Sequence, residues 1–310
     1  MTVPSAWPVT GAQYDIAAGE YQATVTELGA GLRRLSRGGL PVVVGYDADE
    51  LPPAGAGQLL TPWPNRIDGG RYSFAGASYQ LDLSEPTHGN AIHGLTRWAS
   101  WRVASYADNA VELALDILGH AGYPFCLELR AGYRLTPHAG LAVTVTALNR
   151  GTKAAPFGTG SHPYLLAGHG GIDDWQLQLP AARWLPCDDR GIPTGDPQDV
   201  TGTPYDFRSR RGLGGLTLDH ALTALSTDAD GRARAVLAGP DAEVELWAGP
   251  GYGWLQVFTG DTLAAGARRR AVAIEPMTCP PNAFVSGADL LAIEPGATVS
   301  VHWGIQATLG

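Results

Sequence analysis

Along most of this chain apolar and polar residues alternate one by one, the period of extended strands that bury a single face. Val111, Leu113, Leu115 and Ile117 make one such face. Phe125, Leu127 and Leu129 make a second, and Leu141, Val143 and Val145 a third that stops at the turn Asn149-Arg150-Gly151. The pattern returns at Trp175, Leu177 and Leu179, at Val244 and Leu246, at Leu255 and Val257, and at Val299, Val301, Trp303 and Ile305. No window sustains a 3.6-residue period for three turns, and no fixed-period repeat occurs. With 41 Gly and 23 Pro in 310 residues, the segments between strands are short turns such as Asp68-Gly69-Gly70, Asp189-Arg190-Gly191 and Asp230-Gly231. Such spacing predicts hairpins and meanders rather than βαβ crossovers. The expected fold is all-β, a large antiparallel β-sandwich. No linker-like break divides the chain, so residues 1–310 are read as one domain.

Charge and cysteine usage narrow the function classes. The net charge is −9, and the basic residues are scattered apart from Arg268-Arg269-Arg270 and Arg208-Ser209-Arg210-Arg211, which is no footprint for nucleic acid. No stretch approaches the ~20 apolar residues of a membrane-spanning helix. Residues 1–20 lack a basic segment followed by an apolar one, so a soluble, cytoplasmic protein is expected. The three cysteines, Cys126, Cys187 and Cys279, are far apart and fit reduced thiols.

Several polar side chains stand where strand ends and loops would present them to a cleft: Asn65-Arg66, His93, His162, Asp219, Gln256 and Glu275. Asn65-Arg66 follows Thr61-Pro62-Trp63-Pro64. An aromatic face such as Trp63 stacks on sugar C–H surfaces while Arg, Asn and His bond hydroxyls, a combination suited to carbohydrates. His88 and His93 are five residues apart, which on an extended chain puts them on opposite faces and argues against a shared metal. His93 is the better candidate, because Gly94 beside it permits a ligand to approach closely. Ser161-His162 lacks the G-x-S-x-G elbow of a serine hydrolase, and adjacent residues on an extended chain point apart. His162 suits a general acid, since imidazole exchanges its proton near neutrality. Glu275, in Ala273-Ile274-Glu275-Pro276-Met277, is a carboxylate in an apolar run where desolvation favours a base of raised pKa. Glu294 has a similar context, but its Pro-Gly sequel reads as a solvated turn. Asp219, on its own, reads as a surface turn residue.

Taken in order, these motifs resemble the aldose 1-epimerase (galactose mutarotase) family over nearly the whole chain. Asn65-Arg66-Ile67-Asp68-Gly69-Gly70-Arg71-Tyr72 resembles the family's N-R-I-x-x-G-x-[FY] hairpin, and Asn90-Ala91-Ile92-His93-Gly94 with Trp98 its N-x-[LI]-H-G segment. Ser161-His162-Pro163-Tyr164 is similar to the second histidine motif and Leu218-Asp219-His220 to the L-D-H motif. Gln256 stands at the position of a sugar-binding glutamine. Ile274-Glu275-Pro276 with Pro281-Asn282-Ala283 resembles the stretch that carries the family's catalytic glutamate.

The resemblance implies a β-supersandwich that interconverts the anomers of a free sugar without metal or organic cofactor. It implies Glu275 as general base on O1 and His162 as general acid on the ring oxygen O5. Arg66, His93, Asp219 and Gln256 would hold the ring, with Asn65 and Trp63 nearby. Two departures touch the expected pocket: His162-Pro163-Tyr164-Leu165 after the second histidine's strand, and Met277-Thr278-Cys279-Pro280 in place of a glutamine-containing stretch. With Trp63-Pro64 they resemble a bacterial subgroup, the YihR-like epimerases, in which sulfoquinovose mutarotases also occur. An anionic sugar needs a cationic clamp, for which Arg66, Arg71 and Arg97 are the candidates. The partner is then a small sugar and neither nucleic acid nor membrane, with monomer and homodimer both open. Two other readings stand beside the mutarotase: a non-catalytic carbohydrate-binding module, and a glycoside hydrolase using Asp219 and Glu275 as a carboxylate pair.

Overall fold

A computed structural model describes residues 7–310, and nearly all of its regular structure is β-strand. Nine strands form an antiparallel sheet in the order Arg102–Ala107, Ala110–Ile117, Leu127–Thr136, Gly140–Asn149, Thr298–Leu309, Ala242–Ala248, Ala233–Ala238, Gln176–Gln178 and Arg211–Gly212. A second sheet runs Gln198–Asp199, Ala181–Trp184, Asp219–Leu225, Trp254–Phe258, Val272–Met277, Gly160–Ser161 and Leu59–Leu60, with Tyr164–Leu165 also paired to Val272–Met277. A smaller sheet, Gln13–Ala18, Tyr21–Thr26, Leu32–Arg37 and Leu40–Pro41, is tied to the first by the Tyr21 hydroxyl, which donates to the Ala307 carbonyl at 2.9 Å. Among the described residues the one α-helix is Ala283–Ser286, and no helix is long and apolar enough to cross a membrane.

The alternation read from sequence is the alternation observed. Leu127–Thr136 buries every other residue, and its register with Gly140–Asn149 pairs Leu129 with Ala147, Ala131 with Val145 and Tyr133 with Val143. These side chains meet Leu222, Leu255, Val257, Val272 and Ile274 of the second sheet in one continuous apolar core. Two layers packed through their inner faces make the expected antiparallel β-sandwich.

Alternation fails in two strands of the second sheet, and the failure locates the site. Val272–Met277 is buried throughout, and Trp254–Phe258 is buried at all but its last residue. Their inner residues join the main core. Their outer residues divide between two satellite clusters, Tyr46, Ala56, Tyr164 and Ala273 on one side and Leu185, Ala221, Trp254 and Met277 on the other. Gln256 and Glu275, cross-strand partners, lie on that outer face between the two clusters. Strands covered on both faces lose the polar half of their pattern.

The core makes a stability prediction. Leu246 is fully buried and Leu118 is 71% exposed. Chemical denaturation of Leu246→Ala is expected to show a loss of about 2–5 kcal/mol, and Leu118→Ala a change within about 0.5 kcal/mol. Equal effects would contradict the placement of the core.

Candidate active site

Glu275 and His162 reach one point by different routes. Glu275 rises from the middle of its strand, opposite Gln256. His162 lies between the two short runs Gly160–Ser161 and Tyr164–Leu165, each of which pairs with the Glu275 strand. Pro163 and Pro276 supply no N–H at this interruption, so the chain leaves the ladder there at little cost. The His162 ring stacks on Tyr164 with centroids 4.9 Å apart, and the Tyr164 hydroxyl donates to the Ala54 carbonyl at 3.1 Å. Held this way, His162 Nε2 lies 3.3 Å from Glu275 Oε1, with both side chains buried.

The pair stands in a cleft of about 450 Å³ that Asn65, Arg66, His93, Arg97, Asp219 and Gln256 also line. Gln256 donates from Nε2 to Asp219 Oδ1 at 2.6 Å. His93 has a left-handed backbone (φ +61°), and its Nδ1 accepts the Asn65 amide at 3.2 Å, which leaves Nε2 as the protonated nitrogen. The His93 and His162 rings meet edge to face at 5.5 Å. Glu275 Oε2, His162 Nδ1 and Gln256 Oε1 are buried and find no hydrogen-bond partner among the described residues. A buried polar atom left unpaired costs about 1–3 kcal/mol, so the cleft favours a ligand that brings hydroxyl groups.

Arg66 is fixed at both ends. Its carbonyl accepts the Asn282 amide at 2.7 Å, and Asn282 Oδ1 accepts the Asp68 amide at 3.0 Å. Its guanidinium forms two parallel bonds with Glu85, Nε to Oε2 at 2.8 Å and Nη2 to Oε1 at 2.9 Å. Such a fork pairs both charge and geometry. Asn65 turns its Oδ1 back onto the Arg66 amide at 2.9 Å. Arg97 forms no ion pair among the described residues. Its guanidinium lies 5.3 Å from the ring of Trp98, an exposed side chain at the mouth of the cleft.

Two sequence candidates stand outside. Trp63 is buried in the main core, edge to face with Phe284 at 5.6 Å, so its ring is not free to stack on a sugar. Arg71 is exposed on the Arg71–Phe74 strand, where its Nε donates to Gln80 Oε1 at 2.7 Å. Gly94 serves a different purpose from the one expected. At φ +72° a Cβ there would lie 2.0 Å from the Thr61 carbonyl oxygen, so its missing side chain admits the chain's own backbone rather than a ligand. Glu85, Phe258 and Leu263 line the cleft without having been singled out from the sequence. Tyr164 and Trp98 entered that reading only as parts of motifs.

Burial governs the charges. It raises Glu275 well above the usual carboxylate range, Asp219 adds to the rise and Arg66 opposes it. It lowers His162 to about 4, with Arg97 contributing, and lowers His93 well below its ordinary value. Asp219 is raised as well, because desolvation outweighs Arg66 and the Gln256 hydrogen bond. Both shifts favour the neutral forms, a protonated carboxyl group beside a neutral imidazole, and passing the proton from one to the other gives the charge-separated arrangement without a change in net charge.

Comparison with known proteins agrees in extent. The family model described as "Aldose 1-epimerase" matches residues 12–306. The "Uncharacterized protein YihR" of Escherichia coli K12 is 35% identical over 287 residues, 93% of this chain and 90% of that protein. The "Aldose 1-epimerase" of the same organism is 30% identical over 161 residues, 50% of this chain and 45% of that one. Among solved structures, the GalM/aldose epimerase homologue from C. elegans superposes with a TM-score of 0.86 at 20% identity, covering 96% of this chain and 99% of that one.

The proton inventory predicts a pH signature. The raised pKa of Glu275 contributes stability that is present below 4.5, the ordinary value of Glu, and is lost as pH rises through the raised pKa. The lowered pKa of His162 contributes stability that is present above 6.5, the ordinary value of His, and is lost as pH falls toward about 4. In the wild type the two trends oppose each other where they overlap. In Glu275→Gln the loss with rising pH should vanish. A new decline should open as pH falls from 6.5 toward 4, by up to about 1.4 kcal/mol per pH unit, because His162 resists protonation in the fold. Denaturation of both proteins at several pH values reads this, and parallel stability curves would contradict it.

Proposed function

From the premise that the chain belongs to the aldose 1-epimerase family, an enzyme family of isomerases, we propose that it is a mutarotase acting on a free hexose or hexose derivative, with Glu275 and His162 as the proton-transfer pair. The observation that carries this reading is the 3.3 Å approach of His162 Nε2 to Glu275 Oε1 at the buried floor of the cleft. O1 and O5 of a pyranose are bonded to the same carbon, so the groups that serve them must themselves be neighbours.

Ring opening then runs as follows. Glu275, as carboxylate, takes the O1 proton. The O1 electron pair forms the C1=O1 bond, the C1–O5 bond breaks with its electrons passing to O5, and His162 protonates O5. The pair ends with its proton on the carboxyl group and a neutral imidazole, so no proton is gained or lost from water. Rotation about C1–C2 and the reverse transfers give the other anomer. Arg66, His93, Asp219 and Gln256 hold the ring and its hydroxyls, which also supply partners to the unpaired atoms of Glu275, His162 and Gln256. Positioned acid and base groups each contribute roughly 10²–10⁴-fold, enough for a reaction that proceeds slowly in water.

A specific feature favours an anionic sugar, sulfoquinovose among them. Arg66 is neutralised by Glu85, whereas Arg97 faces the cleft without a carboxylate partner among the described residues, and burial lowers its pKa. A sulfonate or phosphate on the sugar would restore that balance.

Exchange NMR of anomeric protons on glucose, galactose and sulfoquinovose tests both statements. Wild type is expected to accelerate exchange and Glu275→Gln to lose at least about 100-fold of it. Arg97→Gln is expected to slow sulfoquinovose about tenfold or more, relative to the neutral sugars. Sugar binding by calorimetry without accelerated exchange would overturn the enzymatic reading in favour of a binding module. Equal effects of Arg97→Gln on all sugars would remove the anion clamp.

A further inference from the structure

The turn Asp189-Arg190-Gly191, which composition marks only as a hairpin signal, packs directly on the side chain of Arg66. Gly191, at φ +72°, lies close against the guanidinium: a Cβ there would sit 2.5 Å from Arg66 Nη1 and 2.9 Å from Cζ. The turn is built to keep that place. Asp188 Oδ1 accepts the amides of Arg190 and Ile192, both at 2.9 Å, and the Gly191 amide donates to the Asp188 carbonyl at 2.9 Å.

Arg190 then ties the turn to the segment that orients Arg66. Its Nη2 donates to Asp68 Oδ1 at 2.7 Å and to Asn90 Oδ1 at 2.9 Å, and its Nε to the His88 carbonyl at 2.9 Å. In return Asn90 Nδ2 donates to the Arg190 carbonyl at 3.0 Å and to Glu85 Oε2 at 3.3 Å. Glu85 is the carboxylate that grips Arg66. Asn90 is fully buried, so both ends of its amide require these partners. The chain of contacts is continuous, Arg190 to Asn90 to Glu85 to Arg66. Gly191, beside Arg190, closes it into a ring by its approach to Arg66 Nη1.

We infer that Arg190 and Gly191 are positioning residues for Arg66: the turn fixes the guanidinium so that it meets the sugar in one orientation, without itself touching the sugar. The inference rests on the proposed mutarotase reading for its kinetic consequence and on geometry alone for its structural one. Arg66 binds the ring in both anomers and in the open form. Loss of its orientation therefore removes uniform binding, which raises KM and leaves kcat in place.

The test compares wild type, Arg190→Ala, Gly191→Ala and the exposed-turn control Asp189→Ala. KM and kcat are measured by polarimetry with whichever of glucose, galactose and sulfoquinovose wild type turns over fastest, beside the Arg66 Nε–Hε NMR resonance, assigned by its loss in Arg66→Lys. Arg190→Ala is expected to raise KM about tenfold with kcat within about twofold, and to broaden or shift the Arg66 resonance. Gly191→Ala should do the same although it removes no hydrogen bond, and Asp189→Ala should change neither. A lowered melting temperature with wild-type KM and an unmoved Arg66 resonance would overturn the inference. If wild type turns over none of the sugars, the functional reading fails, while the Arg66 resonance in Arg190→Ala and Gly191→Ala still decides this one.

Discussion

Everything in the cleft depends on the cost of placing a carboxyl group in the middle of a strand that is buried on both faces. Glu275 is 2% exposed, flanked along its own face by Ala273 and Met277 and backed by Val272 and Ile274 in the main core. Water cannot solvate an anion there, so the group keeps its proton unless something nearby makes the charge worthwhile. His162 is subject to the opposite pressure: burial opposes its cation. Neither group is at its ordinary pKa, and both shifts favour a neutral pair in which one proton has two addresses. In the proposed mutarotase reading, an acid and a base poised in this way by their surroundings suit proton transfer near neutrality.

The second sheet gives this pair its geometry. Short ladders on either side of His162 let it stand beside a strand it does not continue, and Tyr164 sets the plane of its ring. The motifs that resemble the aldose 1-epimerase family thus hold scaffolding as well as chemistry. Asn282, itself left-handed where it caps the short helix Ala283–Ser286, fastens the backbone of Arg66 and Asp68. Gly94 makes room for Thr61 directly after His93, whose own backbone is left-handed. Asn65 spends its side-chain oxygen on its neighbour's amide while its own amide sets the tautomer of His93.

The sandwich was legible in the sequence because most of its strands bury one face, and a period of two follows from that alone. The site was legible only in part, for the same reason in reverse. Strands covered on both faces, such as Val272–Met277, lack the alternation that would say which way Glu275 points. Asp219 reads as a surface turn until its bond to Gln256 is seen, since nothing local distinguishes a cleft from open solvent. Trp63, in a proline-rich run, reads as a loop aromatic, yet its ring fills the core against Phe284. Glu85 carried no signal and Arg190 only that of a turn, because long-range pairing leaves no trace in spacing.

The central claim is that Glu275 and His162 share one proton in the free enzyme, and the most direct measurement is a paired NMR titration. The carboxyl ¹³C of Glu275 and the imidazole ¹⁵N nuclei of His162 would be followed from about pH 5 to 8 in the absence of sugar. A neutral His162 throughout, beside a Glu275 that stays protonated well above the ordinary carboxylate range, is the predicted result. A His162 that titrates near its ordinary value of 6.5, opposite a carboxylate already ionised at pH 5, would contradict it.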